Sequence, residues 1–155
     1  MLSPKKIRYR KVHKGRKGGL AKGARDVAFG EWGLQAVEAA WVTAQQIEAV
    51  RVTMSRRLKK VGRLFLRIFP DKPITEKPAE TRMGKGKGNV EYWVAVVKRE
   101  RVMFEVSGLD DETAKSVLKA AAYKLPMKTK IIKKVSAPID QTESMEHGEP
   151  VEQSE

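Results

Sequence analysis

The residues best suited to chemistry form a short segment in which glycine alternates with lysine, followed by an apolar and aromatic stretch. Such a segment cannot bury a core of its own, because it lacks apolar side chains and is costly to order. It can lie against a polyanion, since each glycine admits close backbone approach and each lysine brings a positive charge to a phosphate. We therefore predict a phosphate-rich partner, with RNA as the first candidate, for a loop made of Arg82, Met83, Gly84, Lys85, Gly86, Lys87 and Gly88.

The charge of the whole chain supports this prediction. Its 155 residues carry a formal net charge of +13, and the sequence pI is about 10.0. Residues 1–28 hold ten Lys or Arg and one acid, whereas residues 136–155 hold six acids and no Lys or Arg. A charge of this size exceeds what solubility requires and indicates a polyanionic partner for the basic part of the chain.

Catalytic and metal-binding functions are disfavoured by the residue types present. The chain has no Cys, which excludes disulfides, thiolate metal sites and cysteine nucleophiles. Its two histidines, His13 and His147, lie near opposite ends. The glycine loop also lacks the Gly-Lys-Ser/Thr ending of a nucleotide-binding loop, because Asn89 and Val90 stand there instead. We predict no enzyme, no cofactor and no metal, and no membrane partner, since no apolar run approaches the ~20 residues of a bilayer span.

Hydrophobic periodicity predicts two helices. The first begins at Thr43, where Thr43 and Gln46 fit a reciprocal capping box. The second begins after Asp110, whose carboxylate can cap it. Their apolar stripes, which should face a core, are Ile47, Val50, Met54, Leu58 and Val61 for the first helix, and Ala114, Val117, Leu118, Ala121 and Leu125 for the second.

Strands are predicted between and around these helices. The predicted strands are one or two within 27–41, then 64–69, 92–98, 102–106 and 129–135. The strands at 92–98 and 102–106 should form a hairpin. Residues 70–89 should form a long functional loop. This order predicts an α+β fold, a two-layer sandwich with both helices on one face of an antiparallel or mixed sheet. Residues 1–27 form a basic arm that Tyr9, Val12 and Leu20 could anchor, 28–135 the folded domain, and 136–155 an acidic disordered tail.

Six segments, in a fixed order along the chain, resemble one protein family. They are MLSPK at 1–5, HKGR at 13–16, QIEA at 46–49, RIFPDKP at 67–73, RMGKGKG at 82–88 and EYWVA at 91–95. The family is the large-subunit ribosomal protein L sixteen family of bacteria and organelles, whose eukaryotic relative is numbered ten. The resemblance covers nearly the whole chain except the acidic tail, and the number and order of the motifs make chance similarity implausible.

The resemblance implies a hammerhead-type α+β ribosomal protein. Such a protein binds 23S rRNA, contacts tRNA at the A site, with the P site as an alternative, and joins the large subunit late in assembly. It further implies 5S rRNA and neighbouring ribosomal proteins as partners, no stand-alone homo-oligomer, and a place on the ribosome in the bacterial cytoplasm or, alternatively, inside an organelle. The predicted rRNA-binding residues are Lys5, Lys6, Arg8, Arg10, Lys11, His13, Lys14, Arg16, Lys17, Lys22, Arg51, Arg56, Lys59 and Lys60.

The sequence leaves several alternatives open. The basic arm could be a solubilising tail, and the basic helix face could be merely solvated. An RNA-modifying or phosphoester enzyme would need a general base, and a DNA-compacting protein would bind duplex DNA and rRNA equally. A core role is favoured for four aromatic residues, and stacking on unpaired bases is the alternative. They are Trp32, Trp41, Tyr92 and Trp93.

Overall fold

The computed structural model describes residues 1–58 and 61–135. The prediction of an acidic disordered tail at 136–155 lies outside these residues, as do the predicted contacts of Lys59 and Lys60. Two helices and seven strands are present in the described part of the chain. They are β1 (Trp32–Ala36), β2 (Ala40–Thr43), α1 (Ala44–Leu58), β3 (Arg63–Leu66), β4 (Lys72–Glu76), β5 (Asn89–Val97), β6 (Val102–Ser107), α2 (Asp111–Ala122) and β7 (Thr129–Lys133). The α+β class is confirmed.

The strands form two antiparallel sheets, so the prediction of a single sheet is wrong. One sheet has four strands in the order β3-β6-β1-β7, and the other has three in the order β2-β5-β4. The chain changes sheet four times, from β1 to β2, from β2 through α1 to β3, from β3 to β4 and from β5 to β6. Helix α1 packs against α2 and against strands of both sheets, whereas α2 packs on β1 and β7.

The predicted hairpin between β5 and β6 is wrong for the same reason. Glu100, in the connection, has a φ of 66°, in the left-handed region. Its N–H donates to the carbonyl of Ala36 at the end of β1, at 2.7 Å, and the carbonyl of Arg99 accepts from Ala21 N–H at 3.0 Å. The turn is therefore held by β1 and by the arm, and it takes the chain from the three-stranded sheet into the four-stranded sheet.

Strand β4 lies inside the segment that we predicted as a long loop. Pro73 pairs in register with Trp93, and β4 is an edge strand of its sheet. An edge strand tolerates proline, because the missing N–H would face away from the neighbouring strand. The loop that contains the Gly-Lys residues is therefore shorter and runs from 77 to 88. Strand β3 is likewise shorter than predicted and ends at Leu66.

Both helix starts are confirmed in atomic detail. Thr43 N–H donates to Gln46 Oε1 at 3.0 Å, and Gln46 N–H donates to Thr43 Oγ1 at 3.2 Å. Asp110 caps α2, accepting from Thr113 N–H at 3.0 Å, and this hydrogen bond lowers the pKa of its carboxyl.

The apolar stripes of the helices are buried as predicted, with two exceptions. Val61 lies beyond α1 and is 75% exposed, and Leu125 lies beyond α2 and is only partly buried. The core between the helices and the sheets includes the fully buried side chains of Leu34, Ile47, Met54, Phe104 and Leu118. None of the described helices is long and apolar enough to cross a membrane.

Candidate nucleic-acid interface

The tip of the Gly-Lys loop is open and has an unusual backbone. Gly84, Lys85 and Gly86 have φ values of 93°, 54° and 89°, so three successive residues lie in the left-handed region. A side chain added at Gly84 or Gly86 would meet no atom within 4 Å, which shows that these glycines serve the backbone conformation and not packing. Lys77 supports the tip by donating from Nζ to the carbonyl of Gly84 at 2.6 Å.

The base of the loop is closely packed. A Cβ at Gly88 would lie 2.3 Å from the carbonyl oxygen of Glu76, at the end of β4. Gly88 therefore allows the returning chain to lie close against the end of β4 just before β5 begins. The glycines of the motif thus have two roles, a free tip and a tight base.

The arm and the loop are held together by reciprocal hydrogen bonds. Lys11 donates from Nζ to the carbonyl of Lys87 at 2.7 Å, and Lys87 donates from Nζ to the carbonyl of Val12 at 2.6 Å. Lys72, on β4, donates to the carbonyl of Lys14. The structure therefore brings together two of the segments that the sequence assigned to RNA, although they are more than seventy residues apart.

The predicted rRNA-binding residues of the arm are exposed, apart from the half-buried Lys11. The exposed ones are Lys5, Lys6, Arg8, Arg10, His13, Lys14, Arg16, Lys17 and Lys22. Of the predicted anchors, Leu20 forms a β-bridge with Arg99, and the backbone carbonyl of Val12 accepts from Lys87. The Tyr9 side chain is 76% exposed. Leu2, which we did not predict as an anchor, packs against the core.

The basic face predicted for α1 includes Arg51 and Arg56, and neither residue is among those that join the arm, 1–27, to the loop, 82–88, in the arm–loop surface. Arg51 is paired with Glu48, at 2.6 Å between Nη2 and Oε1, and the hydrogen bond from Arg51 lowers the pKa of the Glu48 carboxyl. Arg56 is exposed. In the described part of the chain, no hydrogen bond joins either arginine to the arm or to the loop.

The sequence analysis did not predict a buried carboxylate that binds the backbone where the arm ends and the folded domain begins. Glu105, on β6, is fully buried and accepts from the N–H groups of Phe29 at 2.7 Å, Gly30 at 2.8 Å and Ala28 at 3.3 Å. Arg67 Nη1 lies 2.5 Å from the carboxylate and also donates to the carbonyl of Asp26. A signal was present in the sequence, since Glu105 interrupts an apolar strand whose residues are buried on both faces.

The pKa of Glu105 is lowered by this environment. Burial opposes ionisation of its carboxyl, but the hydrogen bonds from Gly30, Phe29, Arg67 and Ala28 together outweigh it and bring the pKa below the ordinary value of 4.5. Because the folded-state pKa is the lower one, ionised Glu105 stabilises the fold above the unfolded-state pKa. This stabilisation is lost as the pH falls through the folded-state pKa.

A pH dependence of stability follows. We expect the difference in unfolding free energy between the natural protein and a Glu105→Gln variant to stay constant between about pH 6 and pH 8 and to shrink below about pH 4.5. Urea unfolding, followed by circular dichroism at each pH, measures this difference. A difference that persists undiminished in acid would show that the charge of Glu105 contributes nothing to stability.

Trp32 is unavailable for stacking on a base. It is buried, and its Nε1 donates to Asp111 Oδ1 at 3.0 Å. Lys133 donates to the same carboxylate at 2.8 Å, and the hydrogen bonds from Lys133 and Trp32 lower the pKa of Asp111. This tryptophan therefore joins β1 to the start of α2, and its core role is confirmed.

The fold and this surface define a class of protein. A small, strongly basic α+β domain with cationic segments gathered on its exterior is typical of proteins that bind nucleic acid. Among the described residues there is no group of three or more His, Asp or Glu placed to hold a metal ion.

Comparison with known proteins identifies the family. The sequence model of the ribosomal protein L16p/L10e family matches residues 4–132 of this chain. The chain is 57% identical over 134 residues to the large ribosomal subunit protein uL16 of Heliobacterium modesticaldum, covering 86% of this chain and 93% of the relative. It is 60% identical over 134 residues to uL16 of Thermosipho melanesiensis, covering 86% and 94%. It is 58% identical over 132 residues to uL16 of Pseudothermotoga lettingae, covering 85% and 93%.

The chain belongs to the ribosomal protein L16p/L10e family. It is a structural ribosomal protein of the large-subunit type and not an enzyme. The resemblance found in the sequence motifs is thereby confirmed, and the alternatives of an RNA-modifying enzyme and a DNA-compacting protein are set aside.

Proposed function

We propose that this protein binds 23S rRNA through one continuous surface made of the basic arm, residues 1–27, and the tip of the Gly-Lys loop. The observation that carries the proposal is the pair of reciprocal hydrogen bonds between Lys11, Lys87 and the backbone beside them. These bonds hold two cationic segments side by side before any partner arrives, which reduces the entropy lost on binding.

The binding mechanism is neutralisation of phosphates with release of their counterions. Lys11 and Lys87 each have three N–H donors, and the bond to a backbone carbonyl uses one of them. The remaining donors are available to phosphate oxygens. The open tip at Gly84 and Gly86 lets the backbone itself approach the RNA, because neither residue has a side chain in the way.

Further partners follow from the same assignment. We infer that the loop 82–88 lies on the side that meets tRNA at the A site, with the P site as a second position, and that the protein supports late assembly of the large subunit. Contacts with 5S rRNA and neighbouring ribosomal proteins belong to this proposal. The bacterial origin of the relatives supports a place on the ribosome in the cytoplasm rather than in an organelle.

Changing Lys85 and Lys87 together to alanine tests the loop. We expect the double variant to bind a large-subunit rRNA fragment less tightly at low salt, and the slope of log affinity against log salt to fall by about 1.4–1.8, since each lost phosphate contact removes ~0.7–0.9. Filter binding or fluorescence anisotropy over a range of salt concentrations measures the slope. The fold should survive, because both side chains are exposed.

The matched control is Lys119→Ala with Lys124→Ala, which removes the same charge from exposed positions on and just after α2. This control should leave the slope nearly unchanged. The loop assignment fails if both double variants alter the slope equally, or if the loop variant unfolds. A flat salt response of the natural protein would overturn the proposed binding mechanism itself.

A further inference from the structure

One face of the three-stranded sheet is turned away from the core and carries aromatic and basic residues. Trp41 pairs with Val96, Lys72 with Val94 and Ile74 with Tyr92. Directly paired residues point to the same side of a sheet and alternate along each strand. The side chains of Trp41, Lys72 and Tyr92 therefore share one face. The opposite face buries Val42, Ala95 and Val97 in the core.

This outer face is not flat but forms a cleft beneath the arm. The cleft has a volume of about 290 Å³, close to the smallest of the ~300–1,000 Å³ sites that hold small ligands. Strand β5 has an extra residue at Glu91 relative to β4, and a bulge of this kind re-aims neighbouring side chains. The residues that line the cleft are Val12, Lys14, Trp41, Pro73, Ile74, Thr75, Lys87 and Tyr92.

The cleft combines an aromatic surface with positive charge. Lys72 Nζ lies 5.2 Å from the Trp41 ring centroid, and Lys14 Nζ lies 5.7 Å from it. Tyr92 lines the cleft and keeps 39% of its surface exposed. No Asp or Glu is among the described residues that line the cleft. A ligand that enters it therefore meets a π-face and ammonium groups, without an opposing carboxylate on the wall.

We propose that this cleft binds one unpaired nucleotide of rRNA, an inference that rests on the proposed function and specifies its mode. The base packs against Tyr92, with Trp41 behind it, while Lys14 and Lys87 hold the adjacent phosphate. Single-stranded readers combine stacking and a basic groove in this way, because every base has a π-face and a nearby phosphate. A base inside a duplex is covered on both faces by its neighbours and cannot enter, so the cleft selects an unpaired residue.

The experiment uses the full-length protein, an unstructured single-stranded RNA and a blunt RNA duplex of the same length. We expect Tyr92→Ala to weaken binding of the single strand by about five- to a hundredfold, the effect of losing one stacked base. Binding of the duplex should change by less than about twofold, because the arm and the loop still contact its phosphates. Tyr92→Phe should restore the affinity for the single strand, since it keeps the π-face.

The control is Tyr123→Ala, which removes a tyrosine at the end of α2 that is 78% exposed, against 39% for Tyr92. The nucleotide site is overturned if this control weakens single-strand binding as much as Tyr92→Ala does, or if Tyr92→Ala affects strand and duplex equally. It is also overturned if inorganic phosphate competes with the single strand as well as uridine monophosphate does, because the site would then hold only an anion.

Two further outcomes separate this inference from the proposed function. A steep salt dependence that survives while Tyr92→Ala has no effect rejects the cleft and leaves the arm–loop surface in place. A natural protein without salt-dependent RNA binding rejects both.

To test the source of the nucleotide, rRNA and tRNA carrying 4-thiouridine can be crosslinked to the protein. Crosslinking of rRNA to the peptide that contains Tyr92 is expected, and crosslinking of tRNA alone would overturn the assignment to rRNA.

Discussion

Substituting Gln for Glu105 is expected to lower the free energy of unfolding by about 3–5 kcal/mol, the range found when one partner of a buried ion pair is removed. The carboxylate is fully buried, and Arg67 keeps only 16% of its side chain exposed. A glutamine has one acceptor oxygen and turns its NH₂ group toward backbone N–H groups or toward the guanidinium. Donors would then face donors in a site without water access, and this loss is a large fraction of the ~5–15 kcal/mol that stabilises a typical domain.

Chemical denaturation with urea, followed by far-ultraviolet circular dichroism, measures this effect. Glu80→Gln is the control, because Glu80 is exposed and its change should stay within about 0.5 kcal/mol. Arg67→Met should cost less than Glu105→Gln, since the carboxylate would keep its bonds from Phe29 and Gly30. Equal losses in Arg67→Met and Glu105→Gln would contradict the view that the backbone N–H groups hold most of the charge.

The local structure of this protein could be predicted well from its sequence. The residues that decide each helix start lie only three positions apart in the chain. The pairs are Thr43 with Gln46 and Asp110 with Thr113. The apolar stripes follow from the helical period alone. Prediction fails at Val61 because the period continues past the end of α1 and carries no information about where a helix ends.

The pairing of strands could not be predicted in the same way. Periodicity shows that β5 and β6 are strands, but it does not show that they lie in different sheets. That outcome depends on the left-handed turn at Glu100 and on hydrogen bonds to Ala36 and Ala21, residues far away in the sequence. Strand β4 could not be predicted at Pro73 for a related reason. A proline argues against a central strand, and only the sheet order reveals that β4 is an edge.

The candidate site shows the same division. Composition pointed to the loop and the arm separately, since like charges cluster there, but nothing in the sequence placed Lys11 beside Lys87. The cleft at Trp41 depends on the register of three strands, and Tyr92 reaches it beside a bulge. Sequence could indicate that an aromatic residue was available for stacking, but only the fold distinguishes Tyr92, which is open, from Trp32, which is buried.

Replacing Lys5, Lys6, Arg8 and Arg10 with glutamine should weaken rRNA binding more than any other change proposed for this surface. We expect the slope of log affinity against log salt to fall by about 3, because four phosphate contacts at ~0.7–0.9 each would be lost. All four side chains are exposed, so the fold should remain intact. Fluorescence anisotropy with a large-subunit rRNA fragment, measured across a tenfold range of salt, gives the slope directly.

The control separates contact from net charge. Glutamine at Lys119, Lys124, Lys130 and Lys134 removes the same four charges from exposed positions on and after α2. Beyond a Debye length of ~10 Å at 0.1 M salt, exposed charges are largely screened, so this variant should lose on-rate at low salt but keep its slope. If both quadruple variants lose the same slope, the arm acts only through its contribution to the total charge. A slope lost in the arm variant alone means that these four residues touch phosphates, and the arm is then a binding segment and not a solubilising tail.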